Sequence, residues 1–220
     1  MVRPTLEIEE TLTGVHHWTA FRPALRQRVS SYYIEPAGIL IDPAVPEDVG
    51  LEWFEARDVA PQQVVLTNHH HWRDSDRFVE AFGCVVRIHL RGIDLLEEGR
   101  TAEPFNDADE VGPGVTAIEI GKIGPDETAL HVAAGKGAVA FGHALIRPTG
   151  GPLAFLPAED LGRHPERVRE GLRQALRGVL LREFDALLFA HGEPMANGGH
   201  AALRRFLEQP VGHPEYGDMA

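Results

Sequence analysis

The spacing of hydrophobic positions changes several times along the chain, and each change marks an element. Val29-Ser-Ser-Tyr-Tyr-Ile34 is β-branched and aromatic, and Gly38-Ile-Leu-Ile-Asp42 follows it after a Pro-Ala-Gly turn. That pair predicts a two-stranded hairpin whose second strand stops at Pro43. Residues 48–57 carry helical spacing through Leu51 and Phe54. Gln63-Val-Val-Leu-Thr67 is a short apolar run of the buried-strand type, and it leads straight into Asn68-His-His-His71. A helix bearing Phe78, Val79 and Phe82 on one side comes next, then a strand over 83–88 and a short helix over 93–98.

The second half repeats the rhythm. Residues 115–120, 128–132 and 138–141 are strand candidates separated by Gly, Pro and Asp turns, and the acidic stretch from Glu103 to Glu110 reads as a solvated loop. Pro165 suits the first turn of a helix. Val168, Leu172, Ala175, Leu176 and Val179 then form a core-facing stripe. Ala186-Leu-Leu-Phe-Ala190 is a last buried strand, and a closing helix runs through Leu203, Phe206 and Leu207. Two strand groups, each with helices outside, predict an α/β sandwich forming one domain over 1–220, its core at about 29–208.

Composition narrows the chemistry. The 220 residues are 43% hydrophobic and 25% charged, ordinary for a globular chain. No apolar run approaches the roughly 18–20 residues of a membrane span, and MVRPTLEIEE lacks a signal-peptide core. The expectation is a soluble, cytoplasmic protein with no membrane partner. A net charge of -12 argues against nucleic acid as a partner, since phosphate binding needs clustered bases, and leaves a small-molecule substrate or ligand. Cys84 is the sole cysteine, so any metal has to be held by histidine, carboxylate or water. Histidine is abundant, at 12 residues.

Position matters more than number. Three apolar strands each deliver histidine just past the carboxyl end: Thr67 leads to His69, His70 and His71, Gly142 to His143, and Ala190 to His191. Loops at such strand ends are where α/β folds place sites. If these ends converge, three imidazoles from distant parts of the chain form the protein half of a hydrolytic metal site.

Ile39-Leu-Ile-Asp-Pro, Val-Leu-Thr67 with its histidines, Phe-Gly-His143-Ala-Leu and Phe-Ala-His191-Gly-Glu-Pro occur in that order. Order and spacing resemble the metallo-β-lactamase superfamily over residues 29–208, and the tail from His191 is similar to that of glyoxalase II-like members. The resemblance implies a four-layer αβ/βα sandwich, two mixed sheets with helices on the outer faces. It also implies a ligand motif, His-x-His-x-Asp-His, after the strand-ending Thr. Here that stretch reads Asn68-His69-His70-His71-Trp72-Arg73, so His70 alone matches a ligand, with Asn68 as a weak one. A further family histidine has no counterpart between Gly121 and Glu127; His143 stands where a bridging Asp is expected, and His191 is kept. A register one residue on gives His69-x-His71-x-Arg73-Asp74, and the sequence leaves both registers open.

The resemblance therefore implies a remodelled, mononuclear site holding one divalent metal through His70, His143 and His191, or through His69 and His71 in the other register. Zinc is the first choice, iron or manganese the alternatives. Arg73 would orient an anion and Asp74 accept a proton while metal-activated water attacks an ester, thioester, lactone or phosphoester. Two other readings stand beside it: a non-catalytic domain that binds a ligand or partner, and iron-based redox chemistry. Plain structural roles compete at each position: hydrogen-bonded loop histidines at 69–71 and 143, a helix-start charge at Asp74, a loop brace at Asp42, and a buried inert thiol at Cys84. His16, His17 and Trp18 read as packing residues before the first hairpin, and His131 as structural. His89, His164, His200 and His213 carry no motif. Gly-x-Ser-x-Gly, P-loop and dinucleotide-binding signatures are absent from the sequence.

Overall fold

The computed structural model describes residues 8–148 and 151–209; His213 lies outside them. Among the described residues, twelve strands form two sheets. The first holds β1 (Glu9–Leu12), β2 (Val15–Arg22), β3 (Gln27–Ile34), β4 (Ile39–Ile41), β5 (Gln63–Val65), β6 (Val85–His89) and β7 (Glu103–Phe105), in sequence order. The second runs β12 (Ala186–Phe189), β11 (Ala138–Phe141), β10 (Thr128–Val132), β9 (Val115–Glu119), β8 (Glu110–Gly112). Both are mixed: β4 to β7 pair in parallel after antiparallel β1 to β4, and β11 with β12 is the parallel pair of the second sheet.

The two-residue period of a strand explains why these short runs are apolar throughout. Ile39 and Ile41 turn into the space between the sheets, meeting Tyr32, Ile34 and Val65 from their own sheet and Val115, Leu130 and Leu188 from the other. Leu40, Tyr33 and Val64 turn outward onto Phe54 and Phe78, which belong to α1 (Glu52–Glu55) and α2 (Ser75–Phe82). On the far side, Val139, Phe141, Leu187 and Phe189 pack under Leu172, Leu176 and Val179 of α3 (Pro165–Val179) and Leu203 and Phe206 of α4 (Gly199–Glu208). The layers are helix, sheet, sheet, helix.

Several elements differ from the sequence expectation. The helix expected over 48–57 shrinks to the single turn of α1, because Gly50 takes a left-handed φ of 60° that a helix cannot continue through. His16, His17 and Trp18 belong to β2 rather than to a segment before the hairpin. The stretch from Glu103 to Glu110 is bounded by two strands, β7 and β8.

The sheets converge at one end. β12 is an edge strand, and the Tyr32 hydroxyl of the opposite sheet serves its last residue. That hydroxyl accepts from Phe189 N at 2.9 Å and donates to Phe189 O at 3.0 Å. Beside it Ser30 N donates to Ala190 O at 2.9 Å, and Thr128 N to Thr67 O at 2.8 Å. Buried backbone groups left unpaired by an edge are thus satisfied across the sandwich. Tyr32→Phe strands both Phe189 groups, and we expect a loss of about 2 kcal/mol or more in urea unfolding. An unchanged midpoint would mean that this cross-link contributes nothing to holding the sheets together.

Candidate metal centre

Asp42 directly follows β4, at φ 47° and 2% exposed. Its Oδ1 accepts from Thr67 N at 2.8 Å and its Oδ2 from Thr67 Oγ1 at 2.7 Å, so the carboxylate ties the ends of two adjacent parallel strands. The chain after Thr67 then winds into a 3-10 turn over His69–Trp72. Asn68 starts the turn by accepting from His70 N at 3.1 Å. The turn carries His71 back beneath Asp42, where Nδ1 lies 2.8 Å from Asp42 Oδ2 and 2.8 Å from Thr67 Oγ1. Because Asp42 accepts only, Nδ1 carries the proton and Nε2 presents a lone pair.

Two more imidazoles close on that lone pair. His143 Nε2 lies 3.1 Å away and His191 Nε2 3.3 Å away. Among the described residues, His71, His143 and His191 form the histidine group whose ligand atoms gather closely enough for one ion. They come from three strand ends, after β5, β11 and β12. Nitrogens at about 2.0–2.1 Å from a tetrahedral zinc stand about 3.3 Å apart, which these separations match. A single in-plane lone pair on His71 Nε2 serves only one good hydrogen bond, yet two nitrogens approach it. A cation at their common focus satisfies all three, so the residues fit a metal.

Supporting loops fix the other two histidines. Glu127, 1% exposed, accepts from His143 N at 2.6 Å, Ala144 N at 2.9 Å and Asn68 Nδ2 at 3.1 Å. Gly142 permits this approach: a β-carbon there would stand 2.5 Å from Thr67 Oγ1 and 2.9 Å from Asn68 Nδ2. Arg147 N donates to His191 O at 3.1 Å, and Gly192 follows at φ 112°, where a β-carbon would collide with Arg147 O. His17 Nε2 donates to Ser30 Oγ at 3.0 Å, and Ser30 Oγ to Gly192 O at 2.8 Å, so β2 and β3 also steady the His191 loop.

The remaining candidates lie around this group. His70, one residue short, lies tilted against His69 with ring centroids 3.8 Å apart and stands 6.1 Å from the His143 ring; the structure brings His71 to the cluster instead. His69 is engaged by Asp126, which takes its backbone N at 2.6 Å and its Nδ1 at 2.9 Å. Asp74 turns away, accepting from both Arg22 Nη1 (2.9 Å) and Val45 N (2.9 Å), so its carboxylate is committed to an ion pair outside the cluster. Arg73 adopts φ 48°, ψ -116°, a conformation costing about 1–3 kcal/mol, and its Nη1 donates to Ser30 O and Asp42 O at 2.6 Å each. Asp126 and Glu127 escaped the sequence reading. Their signal was two adjacent acids in the 121–127 turn where only a histidine was sought.

Burial leaves the cluster neutral. It pushes His191 down to about 3 and His71 and His143 well below the usual imidazole range, with nearby imidazoles and the Arg73 charge adding to the effect. Burial also drives Glu127 up to about 8 and raises Asp42 against the opposing pull of Arg73. Neutral imidazoles are the form that binds metal.

No family model and no curated protein matches the sequence. Solved structures match in shape. A metallo-β-lactamase from Pontibacter korlensis superposes with a TM-score of 0.65 at 15% identity, covering 93% of this chain and all 100% of its own. TTHA1623 in a di-iron-bound form gives 0.61 at 20%, covering 84% and 96%. A metallo-β-lactamase from Erythrobacter litoralis with β-mercaptoethanol in its active site gives 0.62 at 14%, covering 94% and 97%. The chain has the metallo-β-lactamase fold.

The ionisation states set a pH dependence for the metal-free protein. Stability from the neutral forms of His17 (pushed down to about 4), His71, His143 and His191 is complete above 6.5, the unfolded value, and is lost as pH falls toward the folded ones. Glu127 acts oppositely: its contribution is complete below 4.5 and lost as pH rises through about 8, and Asp42 adds to that side. Four histidines outweigh two acids below 6.5, so stability should peak near pH 6.5. Glu127→Gln should flatten the alkaline decline in denaturation midpoints; a decline of undiminished slope in that variant would assign it elsewhere.

Proposed function

We propose that this protein is a metal-dependent hydrolase whose single divalent ion is held by His71, His143 and His191. The observation that carries the reading is the meeting of three neutral Nε2 atoms at three strand ends, with one imidazole oriented from behind by a buried carboxylate. That carboxylate–histidine arrangement fixes the tautomer and ring of a metal ligand. An all-imidazole set suits zinc ahead of manganese, which prefers oxygen. When bound, the ion supplies Lewis acidity, activating water and polarising the acyl or phosphoryl group of an ester, thioester, lactone or phosphoester.

The chain's own residues do the rest. Asp42 and Thr67 hold His71 with its lone pair inward, Glu127 anchors the turn that presents His143, and the Ser30–Gly192 and Arg147–His191 bonds hold the last loop. Preorganisation of this kind keeps donor atoms at the spacing an ion needs before it arrives. The proton-accepting role expected of Asp74 has no support in its position, because Arg22 and Val45 occupy its oxygens. Iron is a second reading of the ion: TTHA1623, which shares the fold, is described in a di-iron-bound form, and imidazole sets accept iron.

Elemental analysis of untagged protein should find about one ion per chain, and its identity separates hydrolytic from redox assays. His71→Ala and His191→Ala should each lose the ion, whereas His70→Ala should keep it. Retention of metal by the His71 and His191 variants, or an empty wild type after zinc, iron or manganese loading, would reject the reading. Zinc-loaded protein that leaves every ester class untouched would leave a ligand-binding domain in its place.

A further inference from the structure

A cavity of about 330 Å³ opens between the end of β2, the loop after β4 and the start of α2. It lies on the helix-covered face of the first sheet: Trp18 on that face packs with Phe54 and Phe78, and strand alternation puts Ala20 and Arg22 on the same side. Its volume is at the lower end of the range for small-molecule sites, about 300–1,000 Å³. The charged groups lining it are unevenly spent. Asp74 takes Arg22 Nη1 on both oxygens, at 2.9 and 3.0 Å, and Val45 N on Oδ2 at 2.9 Å. Glu47 accepts from Phe21 N at 2.7 Å on Oε1 and from Arg28 Nη2 at 3.1 Å on Oε2. Every carboxylate oxygen in the lining therefore has a donor already. The guanidiniums are the reverse. Arg22 engages Asp74 through Nη1 alone, and among the described residues no hydrogen bond or ion pair holds the side chain of Arg77.

We propose that this cavity binds a small organic carboxylate, its charge held by Arg22 and Arg77 and its apolar body against Phe21, Val45 and Pro46. A cation or a donor-rich ligand would have to displace the bonds that Asp74 and Glu47 already make, whereas an anionic acceptor meets unspent N–H groups. The fork of a guanidinium matches a carboxylate or a phosphate in shape. The rest of the lining separates the two, because Ala20, Phe21, Val45 and Pro46 are apolar and the Phe21 ring is 45% exposed. A bare phosphate leaves that surface wet; a carboxylate with a short hydrocarbon body covers it. The net charge of -12 offers no long-range attraction for an anion, so these two arginines have to supply the selection locally. The site needs no metal ion and stands whether or not the triad holds one. Asp74 connects the two places: its amide donates to Pro43 O at 3.1 Å. A ligand that draws Arg22 away from Asp74 thus acts on the segment joining the end of β4 to the histidine turn.

Isotope-labelled full-length protein, as purified and after chelation, would be titrated with butyrate, benzoate, butanol and inorganic phosphate while backbone amide resonances are followed. Butyrate and benzoate are expected to give saturable shifts around Val45, Gly50, Asp74 and Arg77 in both preparations. Butanol, which lacks the charge, and phosphate, which lacks the apolar body, should bind about tenfold more weakly or worse. Arg77 is exposed on α2, so Arg77→Gln should keep the fold and weaken both acids by about tenfold or more. Undiminished affinity in that folded variant overturns the proposal, as does butanol or phosphate binding as tightly as butyrate. So does the absence of any saturable shift. Shifts centred on His143 and His191 and abolished by chelation would place the carboxylate on a metal ion in the triad, which also overturns it. A triad that holds no metal at all would defeat the hydrolase reading and leave this site standing.

Discussion

The Asp42 carboxylate has three donors converging on it from one neighbouring strand end: the Thr67 amide, the Thr67 hydroxyl and His71 Nδ1. Each has a different consequence. The amide bond continues the pairing of β4 with β5 past the last ladder position. The hydroxyl bond fixes the rotamer of Thr67, which in turn meets the His71 ring. The imidazole bond decides which nitrogen of His71 faces the cluster. A carboxylate buried this deeply is costly unless hydrogen-bonded and charge-balanced, and Arg73, bonded to the carbonyl of the same residue, supplies the balance. The site is therefore an outgrowth of strand pairing, and a change that loosens β4 against β5 would misdirect the His71 ring.

The sheets had to be brought together for the other two histidines to arrive. β4 and β5 alone present one histidine; His143 and His191 come from the opposite sheet. Tyr32, Ser30 and Thr67 make polar connections between the two layers, all at the end where the histidines lie. Glycine at 142 completes the approach, since any side chain there would enter the space of Thr67, Asn68 and Glu127. Packing elsewhere between the sheets is aliphatic and adaptable; at this end it is polar and specific, which is what a preorganised centre requires.

Much of this was legible in the sequence. Short apolar runs bounded by turns, together with helical spacing, located β3 to β6, β9 to β12 and three of the four helices, because those elements bury ordinary apolar side chains. β2 was not legible: Val15-His-His-Trp places two histidines at buried positions, satisfied by Glu35 and Ser30, and buried polar residues erase the alternation. β7 and β8 are three residues each and lie beside an acidic turn. At the site, the strand ends and His143 and His191 could be read from apolar runs stopping at histidine. The choice among His69, His70 and His71 could not, because it depends on a 3-10 turn and a left-handed Arg73, which place His71 rather than His70 under Asp42.

The three histidines are far apart along the chain, with 72 residues from His71 to His143 and 120 from His71 to His191. An unfolded chain would have to close two very long loops to assemble them, at an entropic cost that the folded sandwich has already met. An ion in the triad would thus be a noncovalent staple between the layers, closing loops of a length usually reserved for disulfides in a chain with a single cysteine. For the sheets to separate, such an ion would first have to let go of at least one imidazole. The lifetime of the folded state would then follow how fast the metal leaves, making resistance to unfolding a kinetic property set by the ion as much as by the core.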